Sequence, residues 1–524
     1  MTFYKYAIIV CAGIFLRTTI SLHSYSGQGK KPLFGDFEAQ RHWQEVTVNL
    51  PIKDWYENTT DNDLLYWGLD YPPLTAYHSY LIGQTAKFVN ESFVELHKSR
   101  GIETEEHKQF MRMTVLIADI LIYIPAMLLA CNVIFFRILK INAEKGESFH
   151  WLYLCIAILY PGQILIDNGH FQYNNISLGF TVIAISAILC DQRLIGAIFF
   201  VFALNYKQME LYHALPFFCY LLSTCFIDRE RQKSFTFITG IKRLSLLGIV
   251  VVISFLLIWL PWLSSLESLL QVVHRIFPIY RGVFEDKVSN IWCIVNVFMK
   301  IKENFTNEQM AKICLMCTAT SIVPSSITLL LKPTKRQFLY SLINCSLAFF
   351  LFSFQVHEKS ILIPAISVAL IFSLEPFMSF WFLQISTFSM LPLLVKDGLF
   401  AAFIGLSGFT ILLVKLIIDE SKDQKNKNSN YLQILLKINN LTSRKWLENF
   451  MIFSYLLSTV EVEDLSDGCG GKFAAIIVSD QFAGKSLLAR HRLVNTALAE
   501  ELKEIHAFSQ KTFTPEQWQE QQNQ

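Results

Sequence analysis

The stretch LSLLGIVVVISFLLIWLPWL, residues 244–263, decides the fold class of this chain because it contains no charged side chain. A helix needs about 20 consecutive apolar residues to cross the hydrocarbon core of a bilayer. Further long apolar stretches lie near residues 113–136, 150–166, 211–227, 312–331, 337–354 and 399–418, with shorter or polar-interrupted ones near 176–204, 289–299, 360–373 and 376–395. We therefore predict an α-helical polytopic membrane protein with roughly a dozen transmembrane helices.

The composition of the 524 residues supports this class, with 52% hydrophobic residues, 17% charged residues and a mean hydropathy of +0.37. The net charge of +2 provides no overall field that would hold a nucleic acid, so nucleic acid is not an expected partner. The 11 cysteines are scattered, several of them inside apolar runs. We interpret them as small buried apolar residues rather than as a disulfide framework.

Basic residues indicate the orientation of the chain in the membrane. They are concentrated near residues 137–145, 229–233, 332–336 and 422–427, and the positive-inside rule places these segments in the cytosol. The apolar run at residues 6–20 has no small-residue cleavage motif after it, which predicts a retained signal-anchor helix. Residues 22–112 then form a long first loop facing the lumen, where Asn58 and Asn90 are candidate glycosylation acceptors.

The sequence GDFEAQRHW, residues 35–43, brings ionisable and aromatic side chains together in this loop. An amphipathic helix lying on the bilayer would account for it. The pattern also suits group transfer to a hydroxyl, in which one carboxylate removes the proton of the acceptor. We assign Asp36 as the catalytic base, with Glu38 as the second choice, and we assign Glu38 and Arg41 as substrate contacts. Side chains two positions apart point in different directions on a helix, which favours one active carboxylate over a pair.

A second aromatic cluster, YWGLDYPPLTAY, occupies residues 66–77 of the same loop. Its two consecutive prolines fit a rigid structural turn, and its aromatic rings equally fit a wall on which a sugar stacks. The sequence leaves both interpretations open. If the cluster is a wall on which a sugar stacks, Trp67, Asp70 and Tyr71 are substrate contacts.

These two luminal motifs resemble those of the dolichyl-phosphate-glucose-dependent α-1,3-glucosyltransferases of N-glycan precursor assembly, a GT-C family. Four further stretches resemble the same family: residues 161–179 (PGQILIDNGHFQYNNISLG), 274–293 (HRIFPIYRGVFEDKVSNIWC), 350–362 (FLFSFQVHEKSIL) and 386–399 (STFSMLPLLVKDGL). The similarity covers residues 1–420. The two motifs are more similar to those of the enzyme that adds the first glucose than to those of the relative that adds the second.

The resemblance implies inverting transfer of glucose from dolichyl phosphate glucose to a mannose of the lipid-linked high-mannose oligosaccharide. The enzyme would be a multi-pass protein of the endoplasmic reticulum membrane with its active site facing the lumen. In that family, basic residues of the matching stretches lie near the donor, which makes Arg275, Arg281, His357 and Lys359 candidate contacts with the donor phosphate. A lipid phosphate leaves readily once its charge is held, so we expect no metal or other cofactor for glucosyl transfer.

Several ionisable residues lie inside or beside apolar runs: Asp167, His170, Lys207, Glu210, His213, His357, Glu358 and Lys359. Such residues are costly in a bilayer and usually face a cavity. A polar network that holds helices together is the alternative for each of them taken singly. Their clustering favours the cavity.

The composition changes after residue 419, where SKDQKNKNSN indicates a linker. Residues 446–460 form a short apolar run that is either a truncated last membrane helix or an amphipathic one. Beyond it, residues 472–478 have the pattern of a strand, residues 486–502 that of a helix and residues 506–512 that of a strand. The predicted organisation is a membrane domain over 1–420, a linker segment over 421–459 and a small α/β domain over 460–524.

Residues 467–518 resemble the BolA-like family. That resemblance implies a monothiol glutaredoxin as partner and a shared iron–sulfur cluster, with Cys469 and His506 at the ligand positions. The two parts of the chain normally belong to different processes, so an independent fusion, a gene-model fusion and a joint mechanism all stay open.

Two rival functions stand beside glucosyl transfer. A multispan transporter or lipid carrier predicts repeated halves with broken helices at matching positions, and we find no such repeat in the sequence. A membrane-anchored iron–sulfur partner protein would make the C-terminal domain the functional part, and truncation after residue 419 separates that case from the enzyme.

Overall fold

The computed structural model describes residues 3–141, 147–228, 233–234, 236–277, 288–423, 459–464, 472–478, 482–497, 507–514 and 517. The chain divides into two compact units, Met1–Ile438 and Asn439–Gln524. The described part of the first unit is mostly helical.

The α-helices of the first unit are, in chain order, α1 (Phe3–Ser21), α2 (Gly35–Asn49), α3 (Pro73–Val89), α4 (Glu105–Ala118), α5 (Ile124–Asn132), α6 (Glu147–Ile158), α7 (Pro161–Ile164), α8 (Asn174–Leu189), α9 (Arg193–Tyr206), α10 (Ala214–Phe226), α11 (Phe237–Trp259), α12 (Leu266–Ile276), α13 (Ile291–Phe298), α14 (Ile301–Asn304), α15 (Asn307–Leu331), α16 (Lys335–Phe352), α17 (Leu362–Leu370), α18 (Pro376–Ser389), α19 (Leu391–Lys396) and α20 (Phe400–Asp423). Stretches of π-helix cover Asp119–Tyr123, Val133–Ile138 and Leu165–Phe171. Turns of 3-10 helix cover Ile52–Asp54, Glu91–Phe93, Gln208–His213, Leu260–Trp262 and Glu358–Ile361. Strands β1 (Ile227–Asp228) and β2 (Lys233–Ser234) form a short antiparallel pair.

Four helical segments are long and apolar enough to cross a membrane: Glu105–Ile138, Glu147–Phe171, Phe237–Trp262 and Asn307–Leu331. Shorter apolar helices cover Asn174–Leu189, Arg193–Tyr206 and Phe400–Leu416. Within the described residues these segments support the predicted membrane class. Fewer of them than the predicted dozen are long enough to cross a bilayer. The structure shows why, since the apolar run near 211–227 is divided between a 3-10 turn and α10, and the run near 360–373 yields the nine-residue α17.

Helix α11 shows the surface that suits a bilayer. Leu246, Ile249, Ile253 and Leu257 are all about half exposed or more. A contiguous apolar surface of this kind is disfavoured in water and favoured against lipid. The apolar run of residues 244–263 therefore corresponds to the later part of α11 and the 3-10 turn Leu260–Trp262, and α11 has an outward apolar face.

Helices α2 and α3 of the long first loop pack around an aromatic cluster. Its buried members are Ala39, Trp43, Val46, Trp55, Tyr56, Leu69, Ala76, Trp262, Val272 and Ile276. The indole of Trp43 donates to the carbonyl of Trp67 at 2.8 Å, and α3 begins at Pro73, a residue whose fixed φ suits the first helical position. Most of α2 is buried, so the structure corrects the alternative of an amphipathic helix lying on the bilayer.

A chain of buried polar side chains runs through the helical interior. Arg17 Nε lies 3.2 Å from Asp119 Oδ1, and Arg17 also donates to Gln163 at 2.7 Å. Asp167 accepts hydrogen bonds from Gln163 at 3.0 Å and from Asn174 at 2.7 Å. These partners offset the cost of burying charge. The polar-network interpretation therefore fits Asp167.

The described part of the second unit contains strands β3 (Thr459–Asp464), β4 (Lys472–Val478) and β5 (Ala507–Phe513) and helix α21 (Leu487–Ala497). Strand β4 lies between the other two, antiparallel to β3 and parallel to β5. The strands and the helix predicted after residue 460 are thus confirmed where the structure describes them. Cys469, His506 and the apolar run before residue 459 lie outside the described residues.

Candidate active site

Asp36 stands in the first turn of α2, directly after a glycine. Gly35 has a φ of +66°, and a Cβ at that position would come within 2.7 Å of the Ser26 backbone. Glycine accommodates both the left-handed conformation and the close approach. The amide of Asp36 also donates to Ser26 Oγ at 3.3 Å. These contacts fix the backbone from which the Asp36 carboxylate projects.

Three side chains donate hydrogen bonds to one carboxylate oxygen of Asp36. Lys359 Nζ lies 2.5 Å from Oδ2, Gln172 Nε2 lies 2.7 Å from it and His170 Nε2 lies 3.0 Å from it. Among the residues that the structure describes, none donates to Oδ1. The side chain is still 23% exposed, so Oδ1 is the oxygen able to accept a proton from a substrate hydroxyl.

The segment that carries His170 and Gln172 contains an unusual backbone conformation. Phe171, between them, has a φ of 81°, a region that bulky residues rarely adopt and that is common at functional sites. The π-helical stretch ends at this residue. The change of direction lets the side chains on both sides of Phe171 reach Asp36.

The surroundings of Asp36 hold the pKa of its carboxyl well below the usual range. Burial by itself raises that pKa, but the positive charge of Lys359 and the hydrogen bond from His170 outweigh it. Asp36 is therefore ionised at neutral pH before substrate binds.

A cavity of about 760 Å³ opens beside Asp36. Its lining combines aromatic side chains of the first loop with basic side chains of later segments, and includes Asp36, Trp43, Trp67, Asp70, Tyr71, Lys207, Arg275, His357 and Lys359. A second cavity of about 430 Å³ is lined by Ser26, Asp36, His170, His357, Glu358, Lys359, Leu393, Lys396 and Asp397. Asp36, His357 and Lys359 border both spaces. An ionised carboxylate beside several cations can remove a proton from a hydroxyl while the cations hold an anion.

Comparison with known proteins decides which chemistry this is. A sequence model of the "ALG6, ALG8 glycosyltransferase family" matches residues 7–469. The chain is 48% identical over 456 residues to the dolichyl pyrophosphate Man9GlcNAc2 α-1,3-glucosyltransferase of Pongo abelii, covering 87% of this chain and 86% of the relative. The chain belongs to the ALG6, ALG8 glycosyltransferase family. The predicted resemblance is confirmed, and the protein is a membrane glycosyltransferase.

Two further relatives have the same name. The Rattus norvegicus protein is 54% identical over 392 residues, which is 75% of each chain. The Saccharomyces cerevisiae protein is 44% identical over 405 residues, which is 75% of this chain and 71% of the relative. A model described as "BolA-like protein" matches residues 457–517, so the predicted BolA-like resemblance of the C-terminus is also confirmed.

The structure brings most of the predicted site residues of this glycosyltransferase to one cavity: Asp36, Trp67, Asp70, Tyr71, Arg275, His357 and Lys359. The guanidinium of Arg275 donates to the carbonyls of Gly68 at 2.9 Å and Leu69 at 3.3 Å, which joins α12 to the aromatic motif. Arg281, predicted as a further phosphate contact, lies outside the described residues. The individual roles of these side chains stay predictions.

Glu38 and Arg41 do not line either cavity beside Asp36. Arg41 donates to the two carboxylate oxygens of Glu38 at 2.7 and 2.8 Å and pairs with Glu45 at 2.6 Å, all of them buried. Burial raises the pKa of Glu45, but the hydrogen bond with His42 and the charge of Arg41 bring it down to about 2. Because the two residues stabilise the interior of the first loop, the geometry corrects their assignment as direct substrate contacts.

Three residues of the site were missed or undervalued by sequence reasoning. His170 was noted as an ionisable residue at membrane depth, and Gln172 and Asp397 were not singled out. All three lie in stretches that resemble the family, residues 161–179 and 386–399, and that was the signal available. Lys207 also lines the larger cavity, where it donates to Asn174 at 2.5 Å.

Proposed function

We propose that the chain transfers glucose from dolichyl phosphate glucose to a mannose of a lipid-linked high-mannose oligosaccharide, forming an α-1,3 linkage with inversion. One observation carries this proposal. The ionised carboxylate of Asp36 borders a large cavity, with Oδ2 held by three donors and Oδ1 open to substrate. The names of the relatives support the acceptor class and the linkage.

In the proposed step, the acceptor hydroxyl attacks the anomeric carbon of glucose while Asp36 Oδ1 takes the hydroxyl proton. The bond between the anomeric carbon and the phosphate oxygen breaks, and its electron pair leaves with dolichyl phosphate. Attack from the face opposite the phosphate inverts the anomeric centre. An α-linked product therefore requires a β-linked donor.

The basic residues that line the larger cavity suit the leaving phosphate. Lys207, Arg275, His357 and Lys359 are all part of its lining, and charge-assisted contacts with a phosphate strengthen away from water. A donor phosphate would compete with Asp36 for the ammonium group of Lys359. Loss of that pairing raises the pKa of Asp36 and makes it a stronger base when the donor is bound.

The aromatic side chains of the first loop offer flat surfaces for sugar rings. Trp43 and Tyr71 lie with ring centroids 5.0 Å apart, and Trp67 Nε1 donates to the Leu33 carbonyl at 2.5 Å. These contacts hold the rings in place before substrate arrives. Of the two interpretations of residues 66–77, the cavity lining supports the sugar-binding wall, and the packing around Trp43 supports the structural turn as well.

We infer that the enzyme lies in the endoplasmic reticulum membrane with its active site facing the lumen. The inference rests on the basic segments that the positive-inside rule places in the cytosol. It also rests on the site itself, because Asp36 and the aromatic wall belong to the long first loop on the opposite side.

The BolA-like domain supports a separate proposal about the C-terminus. We propose a monothiol glutaredoxin as its partner and a shared iron–sulfur cluster for which Cys469 and His506 supply a thiolate and an imidazole. Glucosyl transfer has no step through this cluster. A transcript that spans residues 420–470 would establish a genuine fusion, and two separate transcripts would establish a fused gene model.

The direct test is transfer by the purified full-length chain from labelled dolichyl phosphate glucose to a glucose-free lipid-linked oligosaccharide. We expect one glucose to be added to a mannose, in a linkage that an α-glucosidase cleaves and a β-glucosidase does not. A chelator should leave the rate unchanged, since we propose that transfer needs no metal. A protein that binds both substrates but forms no such product would rule the proposal out.

A further inference from the structure

His170 lies between two carboxylates. Its Nε2 is 3.0 Å from Asp36 Oδ2, and its Nδ1 is 2.5 Å from Asp397 Oδ2. An ionised carboxylate only accepts hydrogen bonds, so the ring donates from both nitrogens and is an imidazolium. Lys359 Nζ comes within 3.3 Å of the same Nε2 because both groups donate to one oxygen of Asp36.

Asp397 is held firmly where it meets His170. The hydroxyl of Ser24 donates to the Asp397 carbonyl. Gly398 follows with a φ of +73°, and a Cβ there would lie 2.7 Å from Ser24 Oγ. The Asp397 side chain is only 2% exposed and does not line the larger cavity. In the described part of the chain, His170 is the side chain that connects it to Asp36.

We propose that Asp397 is a positioning residue for the transfer reaction, acting through His170 to hold Asp36 ionised with its Oδ1 directed at the acceptor hydroxyl. This inference deepens the proposed function and rests on it. Asp397 forms no bond to substrate and takes no proton in the transfer step. It fixes the ring and the charge of the histidine, as a carboxylate does behind the histidine of other sites.

The groups around His170 fix the orientation of its ring. The carboxylates of Asp36 and Asp397 lie at its two nitrogens, and the ammonium group of Lys359 lies 3.3 Å from Nε2. Other charged or titratable side chains that border the same small cavity are His357, Glu358 and Lys396. Without the carboxylate of Asp397, Nδ1 loses the acceptor that the structure gives it, and the ring is held by one carboxylate beside a lysine.

The first test replaces Asp397 by Asn in the full-length chain, which removes the charge and keeps the size. We expect kcat to fall roughly 10- to 100-fold, with little change in either KM. Asp397→Glu, which keeps the carboxylate, should recover part of the lost kcat. Asp191→Asn is the matched control, since Asp191 pairs with Lys335 at 3.1 Å and borders neither cavity. It should leave kcat and both KM values unchanged.

The second test repeats Asp397→Asn in a His170→Gln background. If Asp397 acts through the histidine, the second substitution adds little to the loss. The same fold-loss of kcat in both backgrounds overturns the proposal, and so does a rise of either KM with kcat unchanged.

A further variant distinguishes a folding defect from a loss of catalysis. Should Asp397→Asn fail to fold, Asp397→Glu is measured in the wild-type and His170→Gln backgrounds: a loss of kcat confined to the wild-type background supports the proposal, and an equal loss in both backgrounds overturns it. Failure of the proposed function itself is recognised separately, because wild-type protein would then transfer no glucose.

Discussion

Lys359 Nζ lies 2.5 Å from Asp36 Oδ2, although 323 positions separate the two residues in the sequence. The candidate base is supplied by the start of α2 and its cation by the turn before α17. The same lysine borders both cavities beside Asp36. Our proposal therefore assigns this lysine to the base before the donor binds and to the donor phosphate afterwards.

Replacing Lys359 by Gln should move the acid limb of kcat/KM to higher pH. The lysine charge lowers the pKa of Asp36, so its removal raises that pKa and leaves the base protonated over a wider acidic range. We also expect the donor KM to rise by on the order of 10-fold, as a phosphate contact is lost. Lys359→Arg, which keeps the charge, should retain the limb. An unchanged pH profile together with an unchanged donor KM would contradict this role.

Replacing Gln172 by Leu should lower kcat and move the acid limb to higher pH, but by less than Lys359→Gln does. The amide carries no charge, and it donates to Oδ2 of the ionised Asp36 at 2.7 Å, so its loss removes a hydrogen bond from the charged form only. A hydrogen bond to a charged group contributes about 1.5–3 kcal/mol, which corresponds to roughly 10- to 100-fold in rate. Steady-state kinetics across pH checks this. If the acid limb of Gln172→Leu moved as far as that of Lys359→Gln, the lysine charge would not be the main cause of the low pKa of Asp36, and this account would be wrong.

Replacing Gly35 by Ala should lower both stability and kcat. The new Cβ would meet the Ser26 backbone at 2.7 Å in a left-handed conformation, at a cost of about 1–2 kcal/mol or more. Gly29→Ala is the matched control, because Gly29 has a φ of +69° in the same loop but no atom within 4 Å of its Cβ position. Gly29→Ala should introduce the same conformational strain and leave kcat unchanged. Equal losses of kcat in the two variants would contradict the account.

Replacing Arg41 by Met should destabilise the protein and leave the KM values of the folded enzyme unchanged. Removing one partner of a buried ionic cluster costs roughly 3–5 kcal/mol, and the thermal midpoint measures it. The folded-state pKa of Glu45 is lowered to about 2 from its ordinary value of 4.5. Its contribution to stability is therefore complete above the ordinary value and lost as pH falls towards 2. A raised acceptor KM at unchanged stability would restore Arg41 as a substrate contact.

The sequence was sufficient for the parts of the site that rest on local motifs. The sequence singles out Asp36 as the carboxylate that directly follows a glycine in the first luminal motif, and Trp67 and Tyr71 as members of the second, aromatic motif. The structure places all three at the larger cavity, and their roles stay predictions. Hydropathy was likewise sufficient for α11. It overestimated the number of long spans because 3-10 turns such as Gln208–His213 interrupt apolar runs without changing their composition.

Residues whose role depends on tertiary contacts could not be assigned in this way. Gln172 reaches Asp36 because Phe171 adopts a positive φ. The neighbouring sequence does not predict this conformation for an aromatic residue. Asp397 meets His170 across 227 positions of sequence. Glu38 was misjudged for a different reason, since its spacing of three residues from Arg41 is the spacing of an intrahelical ion pair.

The role of Asp36 as the base is tested most directly by the single-turnover rate of Asp36→Asn with saturating dolichyl phosphate glucose and acceptor. We expect the rate to fall by about 10²- to 10⁴-fold while donor binding is retained, because the amide keeps the size of the carboxylate but cannot take the hydroxyl proton. An Asp36→Asn enzyme that transfers glucose at the wild-type rate would contradict the account.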